Sequence, residues 1–185
     1  MGINIDKDLR LELTTIKYAT DLYKAVDINR EHLSQFLPWV PHMRSAEDTR
    51  DYIKNCERLY EQGEEVSFVI IADESIVGRI GLHHINIQNK NAAIGYWLTK
   101  NAEGRGIITK SCKEIIAYGF QKLDLHRIEI KVATDNIKSQ AIPKKLRFTK
   151  EGILRQAELV NNKFLDLILY SVIKDEWIKN ISDIG

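Results

Sequence analysis

The stretch YWLTKNAEGRGIIT, residues 96–109, joins the end of a strand pattern to the start of a helix pattern. It places Gly104 and Gly106 in the turn between them. Two glycines in such a turn allow successive backbone N–H groups to point into one concavity, and the helix that follows adds its own free amides and the positive end of its dipole. The stretch therefore predicts an anion-binding loop. It has neither the third glycine of a dinucleotide fingerprint nor the Gly-Lys-Ser/Thr of a P-loop, and taken alone a plain tight turn fits it equally well.

Strand and helix patterns alternate on both sides of this loop, which indicates a layered α/β or α+β domain. Apolar runs and alternations predict strands over residues 9–15, 65–72, 76–83, 92–98, 126–132, 152–160 and 163–173, and helical spacing predicts helices over 19–29, 45–63, 106–123 and 137–146. Ser45 is the expected N-cap of the second helix, and Gly63 ends it. The middle strands form an antiparallel meander, whereas the helix after the loop predicts a right-handed crossover between two parallel strands. We expect one domain over residues 1–185.

The composition excludes several classes of function. Hydrophobic residues make up 44% of the 185 residues and charged residues 29%, an ordinary globular balance. The formal net charge is +1, from 27 basic and 26 acidic residues, so no global field favours nucleic acid or a membrane surface, and an acidic ligand must be held locally. The first 13 residues resemble neither a signal peptide nor a membrane span, so we expect a cytoplasmic protein. Two isolated cysteines, Cys56 and Cys112, suit reduced core positions rather than a disulfide framework or a metal site.

The loop also resembles a family motif. Asn101-Ala-Glu-Gly104-Arg-Gly106 is similar to Gln/Arg-x-x-Gly-x-Gly/Ala, the cofactor motif of the GNAT superfamily of acetyltransferases, although Asn101 replaces the usual Gln or Arg. The resemblance is nearest to the RimJ/RimL-type branch, the ribosomal-protein N-terminal acetyltransferases. It is carried by HLSQFLPW (residues 32–39), IGYWL (94–98), NIKS (136–139), KEG (150–152) and the segment 166–177, with Tyr170-Ser and Asp175-Glu-Trp177 near the end.

This resemblance implies the GNAT fold, in which a mixed, mostly antiparallel central sheet has splayed parallel strands in its middle and helices on both faces. It implies acetyl-CoA (coenzyme A) as co-substrate, with the pantetheine arm in the gap between the splayed strands and no metal. The implied cofactor-binding residues are Trp97, Leu98, Glu103, Gly104, Arg105, Gly106, Ile107, Thr109 and Asn136. Two other departures, Pro143 within a short helix and Arg147 in place of the usual glycine, affect the expected geometry of that helix.

The resemblance also implies the residues of the chemistry. Glu158 is the implied base for the acceptor amine, and Ser139 the implied acid or stabiliser of the departing thiolate. The alternative interpretation of Glu158 is an exposed residue of a strand. The alternative interpretation of Ser139 is part of a helix cap. His83 and His84 have the side chain suited to proton transfer at neutral pH, and at most one of them can reach the cleft because neighbouring strand residues face opposite sides.

The acceptor is expected to lie along the apolar segment 33–39, through Phe36, Leu37 and Trp39, together with His84; a loop packed as core is the alternative. The resemblance favours the N-terminal α-amino group of a protein. A small amine such as a polyamine, an amino acid or an antibiotic remains open, as does a non-catalytic acyl-CoA sensor. A homodimer is one alternative for the oligomeric state.

Overall fold

The computed structural model describes residues 1–182, which form one eight-stranded sheet with helices on both faces. The strands are β1 (Gly2–Asn4), β2 (Leu9–Leu13), β3 (Val66–Ala72), β4 (Ser75–Asn86), β5 (Asn91–Leu98), β6 (Arg127–Ala133), β7 (Thr149–Val160) and β8 (Lys163–Ile173). The helices are α1 (Ala19–Ile28), α2 (Arg30–Leu33), α3 (Ala46–Glu61), α4 (Ile107–Lys122), α5 (Ile137–Lys145) and α6 (Lys174–Ser182). The strand order is β1-β2-β3-β4-β5-β6-β8-β7, and β5 with β6 is its one parallel pair. The expected mixed, mostly antiparallel GNAT arrangement is confirmed.

Two apolar cores hold the helices against the sheet. The larger core joins one face of the sheet to α4, whose Ile115 and Ile116 are fully buried. Burial of such a side chain contributes about 1.5–3 kcal/mol. Gly119 allows this close approach, because a Cβ there would lie 2.9 Å from the Cδ1 atom of Ile128 in β6. The smaller core joins the opposite face to α1, α2 and α3, so apolar packing covers both faces of the sheet.

The sheet opens in its middle. β5 and β6 share three aligned residue pairs, the last being Ala93 opposite Glu129, and beyond these the two strands separate. β5 stays paired with β4 out to Leu98, and β6 stays paired with β8 out to Ala133. The gap is therefore a wedge between two intact half-sheets, as expected from the family resemblance.

Local sequence signals mark the ends of two helices, α3 and α5. Ser45 accepts a hydrogen bond from the backbone N–H of Asp48 and caps α3, and Gly63 adopts a φ of 72° just after that helix. Arg147 adopts a φ of 58° after α5, the left-handed conformation for which glycine is usual. Pro143 does not interrupt α5, which continues through it to Lys145. The short strand β1 and the C-terminal helix α6 were not predicted from the sequence.

Candidate active site

The edge of the gap carries backbone groups that the sheet leaves unpaired. Thr99 donates its N–H to the carbonyl of Val77 at 2.7 Å, which fixes the alternation of bonded residues between β4 and β5. Such bonded positions recur at every second residue of an antiparallel pair, so the backbone groups of Trp97 point toward β4. Those of Tyr96 and Leu98 point into the gap. Of the two amides expected to face the cofactor, that of Leu98 therefore points into the gap and that of Trp97 does not.

A cavity of about 340 Å³ occupies the gap and extends from the face covered by α1 to α3 to the start of α5. Several predicted site residues lie together in its wall: Phe36, Leu37, Trp39, Trp97, Asn136, Ser139 and Glu158. Trp39 packs against Trp97 with ring centroids 6.1 Å apart. Phe36 packs onto a small apolar cluster that includes Ala133 and Leu165. The segment 33–39 thus forms part of a cavity wall as well as packing on the core.

Glu158 reaches this cavity because β7 is irregular. The pairing of β7 with β8 shifts between Leu154 and Glu158, so that extra residues bulge from the strand. Gln156 lies in the bulge with a φ of 50° and donates its backbone N–H to the carboxylate of Asp166 at 2.8 Å. Burial raises the pKa of the Glu158 carboxyl above its usual value, which makes its carboxylate a stronger base.

Ser139 and Asn136 lie where α5 begins, across the gap from β5. The Asn136 side chain accepts a hydrogen bond from the backbone N–H of Ser139 at 3.0 Å and caps α5. The Ser139 hydroxyl does not take part in this cap. It lies 3.0 Å from the hydroxyl of Tyr96, and both side chains line the cavity. Capping therefore belongs to Asn136 and leaves the Ser139 hydroxyl for another role.

The glycine loop has the geometry of an anion site. Gly104 and Gly106 adopt φ angles of 77° and 74°, and a Cβ on either would meet nothing within 4 Å, so the left-handed backbone alone requires glycine. Gly106 is the N-cap of α4 and no side chain satisfies the first amides of that helix. Those amides and the positive end of the α4 dipole suit a diphosphate. Ile107, by contrast, is buried in the core, so its backbone rather than its side chain is available to a ligand.

Side chains around the loop are tied to neighbouring elements. Arg105 pairs with Asp73 at 2.6 Å. Glu103 pairs with His32 of α2 at 3.2 Å and with Lys138 of α5 at 2.6 Å. The loop residues 103–109 do not line the cavity that holds Glu158, so the loop and the cavity are separate regions of the surface. Thr109, on the first turn of α4, is half-buried.

Sequence reasoning missed a buried polar network on the cavity floor. Arg79 is only 6% exposed; it donates to the hydroxyl of Tyr52 and to Glu65 Oε1, the latter at 2.7 Å. Glu65 Oε2 lies 2.9 Å from His83 Nδ1. Burial alone would raise the pKa of Glu65, but the hydrogen bond from His83 and the charges of His83 and Arg79 lower it to about 2. The one sequence signal for this network was the position of Arg79 within an otherwise apolar strand pattern, which indicates a buried charge that needs a partner.

One of the two adjacent histidines reaches the cavity with Glu158. His83 lines that cavity and also a second, surface cavity near the turn after β4, whereas His84, with a φ of 55°, lines the second cavity alone. The structure therefore places His83, not His84, with the other candidate acceptor residues. Within residues 1–182 no three His, Cys, Asp or Glu side chains gather as a metal site would require. None of the helices described in that range is long and apolar enough to cross a membrane.

A split sheet, an amide-rich loop at a helix N-terminus and a half-buried carboxylate together define an acyltransferase of the GNAT fold. Comparison with known proteins agrees: residues 8–149 match the acetyltransferase (GNAT) domain family, and the chain belongs to that family. It is an acetyl-CoA-dependent N-acetyltransferase.

Similar proteins cover nearly the whole chain. YdaF of Bacillus subtilis (strain 168), a candidate ribosomal N-acetyltransferase, is 34% identical over 94% of this chain and 95% of its own. The ribosomal-protein-serine acetyltransferase of Escherichia coli (strain K12) is 32% identical over 94% of this chain and 97% of its own. A solved structure of RimL, a ribosomal L7/L12 α-N-protein acetyltransferase in complex with coenzyme A, superposes with a TM-score of 0.91 and 29% identity, covering 95% of this chain and 99% of that one.

Proposed function

We propose that this enzyme acetylates the N-terminal α-amino group of a protein, of the ribosomal-protein serine or alanine type. The observation that carries the proposal is the charge of the cavity. Among the described side chains that line it, Glu158 is the one carboxylate and Lys131 is cationic, while the charge of Arg79 is paired with that of Glu65 behind the cavity wall. A polyamine carries several positive charges and requires several carboxylates; a peptide N-terminus presents a single amine followed by neutral backbone.

The relatives point the same way. Two of those compared, from Escherichia coli and in the RimL structure, carry names that give a ribosomal protein as the acceptor. The match extends over the whole of each relative, so the acceptor-side segment 32–39 is included in the similarity. A ribosomal acceptor would also accord with the cytoplasmic location expected from the sequence.

Several groups of the chain suit binding of acetyl-CoA. The amides at Gly106 and along the first turn of α4 would hold the diphosphate, and the gap-facing carbonyl of Leu98 would accept a hydrogen bond from the pantetheine arm, which leaves the Leu98 N–H for the thioester. Asn136, at the start of α5, faces the same gap from the other side. Bound there, acetyl-CoA supplies a thioester carbonyl that an amine can attack.

The residues of the cavity then divide the chemistry between them. Glu158 accepts a proton from the acceptor amine, directly or through a water, because its partly buried carboxylate is more basic than one in solvent. The Leu98 amide stabilises negative charge on the carbonyl oxygen, and Ser139 donates a hydrogen bond to the departing sulfur. The aromatic wall of Phe36 and Trp39 excludes water from the acceptor and orients it.

The experiment is an acetylation screen that measures release of free thiol from acetyl-CoA. Its panel has four kinds of acceptor. Two are peptides: one set has a free N-terminal Ser or Ala, and the other is blocked at the N-terminus and contains a lysine. The remaining two are spermidine and an aminoglycoside. We expect turnover with the free N-terminal peptides and little with their blocked counterparts. Preferred turnover of spermidine or the aminoglycoside would overturn the proposal, and binding of acetyl-CoA without turnover of any acceptor would indicate a sensor.

A further inference from the structure

Tyr96 crosses the gap between the two halves of the sheet. Its backbone belongs to β5, yet its hydroxyl oxygen lies 3.0 Å from Ser139 Oγ and 3.2 Å from the Ser139 carbonyl oxygen, both at the first turn of α5. The Tyr96 ring packs against the larger apolar core, and this packing holds its hydroxyl in place. No other described residue shares a hydrogen bond with the Ser139 hydroxyl.

Hydrogen counting permits two arrangements of this pair. Each hydroxyl has one proton to donate. In the first arrangement Tyr96 donates to the Ser139 carbonyl, and the Ser139 hydroxyl donates to Tyr96. In the second, Tyr96 donates to Ser139 Oγ, which frees the Ser139 proton to point into the cavity. Both use the same heavy-atom positions, so the pair can pass between them by rotating two O–H bonds.

We propose that Tyr96 is a positioning residue that turns the Ser139 hydroxyl toward the thioester sulfur as the carbon–sulfur bond breaks. The inference rests on the proposed function, in which Ser139 faces that sulfur. As negative charge develops on the sulfur, the second arrangement becomes favoured, because Ser139 then donates to an anion while accepting from Tyr96. Hydrogen bonds to charged groups are stronger than those between neutral groups, and a chain of donors strengthens each member.

The reaction balances without a proton leaving Tyr96. The acceptor nitrogen forms a bond to the carbonyl carbon, its proton passes to Glu158, and the carbon–sulfur electron pair goes to the sulfur. A thiol has an ordinary pKa near 8.5, and burial raises the pKa of the Tyr96 hydroxyl well above its usual range, so the tyrosine keeps its proton while the thiolate departs. Tyr96 therefore serves as a fixed donor to Ser139, and solvent protonates the released thiolate.

A plain structural role is the competing explanation, because the same contact also ties β5 to α5. The two explanations differ in how Tyr96→Phe behaves when Ser139 is already Ala. A positioning residue has nothing left to position in that background, so its removal changes kcat no further. If Tyr96 only tied β5 to α5, Tyr96→Phe would still lower stability and cofactor affinity in the Ser139→Ala background.

The test is a double-mutant cycle of Tyr96→Phe and Ser139→Ala, assayed for kcat, for KM of acetyl-CoA and for thermal stability. Tyr118→Phe on α4 is the matched control, since that partly exposed hydroxyl has only a long contact, 4.0 Å to the sulfur of Met1. We expect Tyr96→Phe to lower kcat about tenfold with KM for acetyl-CoA unchanged, as loss of one oriented hydrogen bond implies. Ser139→Ala should lower kcat roughly 100-fold, and the double variant should match it.

Three outcomes decide the matter. Unchanged kcat in Tyr96→Phe, with Ser139→Ala impaired, overturns the inference and leaves the proposed function intact. A double variant slower than Ser139→Ala by the full factor of the Tyr96 change also overturns it, because Tyr96 would then act without Ser139. Full activity of Ser139→Ala removes Ser139 from the proposed chemistry itself. Calorimetric titration with acetyl-CoA counts the folded, binding-competent fraction, so kcat stays measurable if Tyr96→Phe is less stable.

Discussion

Replacement of Glu158 by Gln tests the proposed base most directly. Gln keeps the size of the side chain and its place beside the β7 bulge but cannot accept the proton. We expect kcat to fall roughly 100-fold, equivalent to about 2.7 kcal/mol of activation free energy, with acetyl-CoA affinity unchanged. The loss should shrink at higher pH, because more of the acceptor amine is then already neutral. Initial rates of thiol release with an N-terminal peptide, measured from pH 6 to 9, give both quantities.

The same variant has a predictable effect on stability. Burial raises the pKa of Glu158 in the folded protein above its unfolded value, so the folded state binds the proton more tightly. Proton binding by Glu158 therefore stabilises the folded state. This stabilisation is fully present below the ordinary glutamate pKa of about 4.3 and is lost as pH rises through the pKa of Glu158 in the folded protein. At neutral pH the ionised carboxylate is therefore destabilising, and Glu158→Gln should melt at a higher temperature than the wild type. The difference should vanish at about pH 4.

Glu114→Gln is the matched control, because this half-buried glutamate of α4 does not line the cavity. It should leave rate and pH profile unaltered. A Glu158→Gln variant with the wild-type rate at every pH would remove Glu158 from the mechanism and direct attention to His83 or solvent. A variant that melts lower than the wild type at neutral pH would show that the carboxylate makes favourable contacts, contrary to the reasoning from burial.

Three further substitutions test other parts of the structure. Gly104→Val should weaken acetyl-CoA binding about tenfold by calorimetry, since the empty loop would relax out of the left-handed conformation and binding would have to restore it at a cost of about 1–2 kcal/mol; Gly63→Val, with similar strain after α3, should leave affinity unchanged, and equal losses in both would refute the loop assignment. Arg79→Ala should lower the free energy of unfolding, measured in urea, by about 3 kcal/mol, because it removes the guanidinium that pairs with the buried carboxylate of Glu65 and leaves only His83 beside it; an unchanged midpoint would contradict this. Trp39→Ala should raise KM for the peptide acceptor and not for acetyl-CoA, and the reverse pattern would place Trp39 at the cofactor.

Features that depend on neighbours along the chain could be predicted from the amino-acid sequence. Ser45 caps α3 and the glycines open the loop before α4 because capping and left-handed turns are decided within a few residues. The order of strand, loop, helix and strand around residues 92–132 was enough to predict the parallel pair and the crossover. The family resemblance further predicted the cofactor, the opening in the sheet and the candidate catalytic residues Ser139 and Glu158.

Contacts between residues far apart in the chain became visible only in the folded protein. Tyr96 and Ser139 are 43 positions apart and face each other because two strands diverge. The Glu158 carboxylate enters the cavity because β7 bulges against β8, and a strand pattern read from one chain segment contains no information about its partner. The pairing of Arg79 with Glu65 also depends on neighbouring strands. So does the placement of His83, rather than His84, in the cavity with Glu158. Side-chain direction and burial result from pairing register and packing between elements, and these are properties of the assembled sheet rather than of any one stretch of sequence.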